Sequence, residues 1–112
     1  MYTTAMTFKL KPGFYEDYKK AHDELWPDLA DAFRTNDVSM MIWHYEDRLF
    51  LYAEAPSREH FERSHPPDVG ARWSAYMASM MECGEDGKAI VEDLDGAFFF
   101  GRYAELHGGA HA

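Results

Sequence analysis

The run YTTAMTFKL (Tyr2–Leu10), KPG (Lys11–Gly13), FYEDYKKAHDELWPDLADAFRT (Phe14–Thr35) decides the fold, because its apolar period changes at the middle triplet. Before it, Tyr2, Thr4, Met6, Phe8 and Leu10 alternate with Thr3, Ala5, Thr7 and Lys9, which predicts a half-buried strand. Pro12 cannot continue a ladder and Gly13 permits a sharp turn. After it, Phe14, Tyr18, Ala21, Leu25, Leu29 and Ala32 recur every three or four residues, which predicts an amphipathic helix to about Thr35. Pro27 removes a backbone donor inside that helix, so a kink or break is expected near Trp26-Pro27.

Working outward, Val38–Tyr45 and Leu49–Ala55 form two strands joined by Glu46-Asp47-Arg48, an antiparallel hairpin. Ser57 is an N-cap for a short helix over Arg58–Ser64. His65-Pro66-Pro67 forces a loop, and Asp68 caps a helix from Val69 to about Glu82. A last strand is expected within Ala89–Tyr103, clearest at Ala97–Phe100. The order strand, helix, strand, strand, helices, strand is the split βαβ pattern of a ferredoxin-like α+β fold, an antiparallel sheet with helices on one face. Residues 1–104 are expected to form one domain and 105–112 a C-terminal tail, loose or packed on a partner. The helix-free face still carries Met, Phe and Trp, so a second subunit or a ligand is expected to cover it, hence a homodimer.

Composition narrows the function. The 112 residues are 46% hydrophobic and 28% charged, in the ordinary globular range. A net charge of −9 lacks the basic footprint that nucleic acid or an anionic membrane needs. A single cysteine, Cys83, allows no internal disulfide and points to a reducing cytoplasm. The N-terminus carries no long apolar run, so neither a signal peptide nor a membrane span is expected.

Tyr18, His22 and Trp26 stand at i, i+4 and i+8 on the first helix, a spacing that stacks them along one stripe. His22 has the side chain best suited to proton transfer near neutrality, Tyr18 can position a substrate oxygen, and Trp26 can stack on a sugar face. From spacing alone, core packing outweighs such a role. Trp73 shares a helical face with Tyr76 and Met77, where a core role again outweighs a pocket. Glu54 lies in phase with Phe50 and Tyr52 on a strand face that could line the pocket; it joins Asp23 and Glu24 as a candidate base. His44, His60, His65, His107 and His111, with one lone thiol, give a weak metal signal, so no metal is expected. Nucleotide, phosphoryl and serine-hydrolase motifs are absent.

The run YKKAHDELWP at Tyr18–Pro27, preceded by Lys11-Pro12-Gly13, resembles the N-terminal signature of the L-rhamnose mutarotase family. Arg48-Leu49-Phe50 through Glu54 looks like that family's third strand, and Val69–Met77 around Arg72-Trp73 like its later helix. The resemblance is strong over the first two-thirds of the chain. It implies a dimeric ferredoxin-like α+β barrel that interconverts the α and β anomers of L-rhamnose or a related sugar without a cofactor. It further implies His22 as proton donor, Tyr18 as a substrate contact and Trp73 as the first of a pocket tryptophan pair. Met40 stands where the family has a sugar-binding tyrosine, and Ser74 where it has the second tryptophan. Other dimeric α+β barrels suggest the alternatives, a small-molecule binding protein or a cofactor-free oxygenase.

Overall fold

The computed structural model describes residues 1–106. Its elements are β1 (Tyr2–Lys9), α1 (Tyr15–Asp23), α2 (Pro27–Thr35), β2 (Ser39–Tyr45), β3 (Arg48–Ala55), α3 (Arg58–Arg63), α4 (Pro67–Ala78), β4 (Val91–Asp93) and a 3-10 helix over Gly101–Leu106. The four strands form one antiparallel sheet in the order β2-β3-β1-β4. This is the ferredoxin-like α+β arrangement, with the helices on one face.

The interruption expected near Trp26-Pro27 is a full break, and the stretch forms two helices. Trp26, held extended at φ −54 and ψ 132, separates them, and Pro27 opens α2. A residue before proline is driven out of the helical region, so the chain breaks where a milder defect would only bend it. Gly13, at φ +83, makes the turn out of β1. Ser57 caps α3 by accepting a hydrogen bond from the His60 backbone N–H at 3.2 Å. The last long helix opens at Pro67, with Pro66 at its N-cap and Asp68 in its first turn, and it ends at Ala78.

Antiparallel partners share a sheet face, so the register assigns each side chain. Phe8 pairs with Leu49, Met6 with Leu51 and Thr4 with Ala53; Met40, Ile42 and His44 join them from β2. This face meets the helices. Its core is Phe8, Leu10, Tyr18, Ala21, Leu49, Met77, Met80 and Met81. The opposite face carries Thr3, Ala5, Thr7, Phe50, Tyr52, Glu54, Met41, Trp43 and Tyr45. On it Trp43 and Tyr45 are 65% and 69% exposed.

The last strand differs from expectation. Only Val91–Asp93 pair, against Met6–Phe8, and a final bond from the Leu94 N–H to the Ala5 carbonyl ends the ladder. Ala97–Phe100 is not a strand. At Gly96 the Phe99 ring lies so close to the backbone that a Cβ would run into it. Phe98 and Phe100 stack on each other at 6.2 Å, both largely exposed. The boundary expected between residues 104 and 105 falls inside the 3-10 helix, and Leu106 is buried. The rest of the expected tail, 107–112, lies outside the described residues. No helix among the described residues is long and apolar enough to cross a membrane.

Candidate active site

Helix α1 presents Tyr18 and His22 to the same flank, one turn apart. Tyr18 is 4% exposed, and its ring packs on Phe8 at 6.3 Å and on His22 at 4.4 Å. His22 Nδ1 lies 2.9 Å from the Tyr18 carbonyl oxygen. A carbonyl only accepts, so Nδ1 carries a proton and donates it; the neutral imidazole then leaves Nε2 with a free lone pair. Burial lowers the pKa of His22 from its ordinary 6.5, against the smaller opposing effects of the Tyr18 carbonyl and of Asp23. Burial also pushes the Tyr18 phenol well above its usual range, so the resting site holds it as a hydroxyl.

Aromatic rings wall this pair. Trp73, from α4, meets His22 edge-on at 5.2 Å and Trp26 edge-on at 5.1 Å. Tyr76 stacks parallel to Trp26 at 5.9 Å. The Arg72 guanidinium lies 5.4 Å over the Trp26 ring and bridges to Asp28 at 3.3 Å, tying α2 to α4. The expected Tyr18–His22–Trp26 stripe is therefore corrected. Trp26 lies beyond the end of α1, and it reaches His22 only through Trp73, because Pro27 forbids the helical conformation at residue 26.

Met40 sits half-buried on the helix-facing side of β2. The Tyr15 ring stacks on His44 at 3.6 Å and so fixes α1 against β2. Strands β1 and β2 are both antiparallel to β3 and hence parallel to each other, so the helix between them runs back antiparallel to β2. Seven residues along α1 advance about 10 Å. Four residues back along β2 cover about 13 Å. Met40 therefore stands close to the level of His22. Ser74 is exposed on α4, one position from Trp73.

Glu54 is on the opposite face of the sheet, so its expected pocket role is corrected. Strand phase groups it properly with Phe50 and Tyr52, but that face looks away from the helices. Its carboxylate accepts from Tyr103 Oη at 2.7 Å, Tyr52 Oη at 2.8 Å and Arg102 at 2.8 Å. Asp23 is exposed and bound to Lys19 at 2.7 Å. Glu24 lines a cleft of about 510 Å³ between α1 and α4, bounded also by Phe14, Asp17, Trp26 and Tyr76. That cleft is not lined by His22, so its size alone does not mark the proton-transfer site. Sequence reading gave Tyr76 a core role, yet it is 40% exposed. It missed Asp28 and Tyr15, whose partners lie 44 and 29 residues away with no local signature. Among the described residues no three His, Cys, Asp or Glu side chains gather as a metal-holding group. His107 and His111, the one histidine pair four residues apart, lie outside them.

Fold and site together define a class: a ferredoxin-like α+β domain that holds one neutral imidazole beside a buried phenol within a tryptophan wall. Residues 3–98 match the family described as L-rhamnose mutarotase, and the chain belongs to that family. It is 35% identical over 102 residues to an L-rhamnose mutarotase of Burkholderia orbicola, covering 88% of this chain and 97% of the relative. It is 29% identical to one of Listeria monocytogenes over 88% of this chain and 98% of that one. The crystal structure of L-rhamnose mutarotase FA22100 from Formosa agariphila superposes with a TM-score of 0.74 at 25% identity, over 90% of this chain and all of that one. A putative antibiotic biosynthesis monooxygenase from Nitrosomonas europaea has TM-score 0.58 at 17% identity over 88% of this chain and all of that one, a likeness of fold alone.

Proposed function

We propose that this protein is a cofactor-free isomerase that interconverts the α and β anomers of L-rhamnose or a closely related aldose, with His22 exchanging protons with the sugar. The observation that carries this is the His22 imidazole, pinned through Nδ1 to the Tyr18 carbonyl, flanked by Tyr18 and Trp73, in a chain of the mutarotase family. Anomer exchange needs a proton at the ring oxygen and another removed from the anomeric hydroxyl, so positioned acid–base groups suffice. Trp73 supplies an apolar surface for the sugar ring, with Ser74 next to it on α4 and Met40 on β2 near the level of His22. Saturation transfer between the anomeric proton resonances of L-rhamnose tests the proposal: the protein should speed exchange, and His22→Gln should abolish the gain. Binding of sugar without faster exchange would indicate a binding module instead.

The same proposal includes a single domain that works as a cytoplasmic homodimer. Met41, Trp43 and Tyr45 form an exposed apolar row on the face opposite the α-helices, the kind of surface that a second copy covers. Light scattering that gives a monomer mass at micromolar concentration would refute the dimer.

A further inference from the structure

We propose that Tyr18 is the second proton-transfer group of this site, and that His22 opens the reaction as a base through Nε2. This rests on the mutarotase reading above and assigns the partner that the carboxylates do not supply. Asp23 is engaged with Lys19, Glu24 lines the α1–α4 cleft, and Glu54 lies on the other face of the sheet. Among the described residues Tyr18 is the one other titratable side chain whose ring touches His22.

The geometry gives each group its role. The Tyr18 carbonyl consumes the Nδ1 proton of His22, so Nε2 is left as an acceptor. The Tyr18 hydroxyl meets no acceptor among the described residues. It is not sealed in either, since the sole enclosed unpartnered side-chain oxygen among the described residues is Thr3 Oγ1. A buried ring whose hydroxyl is neither sealed nor claimed can donate to a substrate oxygen.

The protons balance over one cycle. Nε2 takes the proton of the anomeric hydroxyl, the C1–O5 bond breaks, and O5 takes the Tyr18 phenol proton. The products are the open aldehyde, an imidazolium and a phenolate. After rotation about C1–C2, O5 attacks the other face of C1 and returns its proton to Tyr18, while the carbonyl oxygen takes its proton back from Nε2. The site is neutral at both ends. In between, the two new charges sit on rings 4.4 Å apart and stabilise each other.

The pH dependence separates this from the donor role that the resemblance implies for His22. The titratable groups about His22 are Tyr18 and Asp23, both from α1; α4 presents Trp73 to it, and His44 on β2 is occupied with Tyr15. A base must be neutral, so exchange should be level above the His22 pKa and fall as the pH drops through it. A donor must be charged, so exchange would instead fall as the pH rises through the same value.

The experiment measures L-rhamnose and other aldose exchange by saturation transfer from pH 4.5 to 9, with the buffer-only rate subtracted. Wild type should lose rate only on the acid side. Tyr18→Phe keeps the ring that packs on Phe8 and His22, and should lose about 10²–10⁴-fold while keeping the acid limb. His22→Gln should lose the gain at every pH. Nitrogen-15 shifts of His22 in the free protein should show a protonated Nδ1 and a bare Nε2 at pH 7.5. A wild-type rate in folded Tyr18→Phe, a rate that falls toward alkaline pH, or a bare Nδ1 would each overturn the assignment. Wild type that speeds no aldose would overturn the mutarotase reading itself, and with it the catalytic role of the pair, whatever the tautomer of His22.

Discussion

Restoring the two substituted pocket positions should convert this protein into a better L-rhamnose catalyst. Methionine at position 40 offers no strong hydrogen bond, and serine at 74 offers no flat surface. A tyrosine hydroxyl at 40 bonded to a sugar hydroxyl is worth about 1 kcal/mol net. A tryptophan at 74 that covers on the order of 60 Å² of apolar sugar surface adds about 1.5 kcal/mol. Together, at about 1.4 kcal/mol per factor of ten, Met40→Tyr with Ser74→Trp should raise kcat/KM for L-rhamnose by about 50-fold. Ser74 is exposed, so the larger ring has room; Met40 is half-buried, so the tyrosine there costs about 1–3 kcal/mol of stability. The assay is anomer exchange across a panel of free aldoses, with urea midpoints as the check on folding. Two results would refute the assignment of these positions: unmodified protein that already exchanges L-rhamnose faster than every other aldose, or a folded double variant that shows no gain.

Leu29→Ala, at a site with no exposure, should cost about 2–5 kcal/mol in urea denaturation without altering the pH profile of exchange. Glu54 is held below its usual 4.5 first by Tyr103, then by Tyr52 and Arg102, with burial opposing them. Its stabilisation is therefore present above about pH 4.5 and is lost as the pH falls through the lowered value, so Glu54→Gln should flatten that part of the acid limb of stability. Trp43→Glu with Tyr45→Lys, on the exposed face, should shift the light-scattering mass to that of a monomer at micromolar concentration. Dialysis against EDTA should leave the exchange rate unchanged, since proton transfer alone completes the reaction; loss of activity restored by one divalent ion would contradict this.

The change of period at Lys11-Pro12-Gly13 is enough to place β1 and α1, because alternation and helical spacing do not resemble each other. Pro27 marks the helix boundary for an equally local reason. The end of the chain is harder. Ala97–Phe100 has the composition of a strand, yet β1 offers its free edge to Val91–Asp93, and which segment takes an edge is a tertiary competition. Glu54 shows the same limit from another side. A period of two sorts residues into two faces but does not say which face the helices cover. His22 and Tyr18 were legible as neighbours because one helical turn is local; Trp26 reached them by a different route, through a tryptophan 47 residues away. The Arg72–Asp28 bridge and the Arg102–Tyr103–Glu54 cluster are long-range contacts with no signature in either segment.

The bond from His22 to the Tyr18 carbonyl has a consequence for inactivation. That carbonyl also accepts the backbone N–H of His22, as the helical ladder requires, so it serves the last turn of α1 and the imidazole at once. Helix ends open more readily than cores, with free energies well below that of global unfolding. Each such opening frees Nδ1 and lets the imidazole rotate and change tautomer. Amide exchange at His22 should therefore report the competence of the site, and mild urea should silence anomer exchange before the sheet begins to melt.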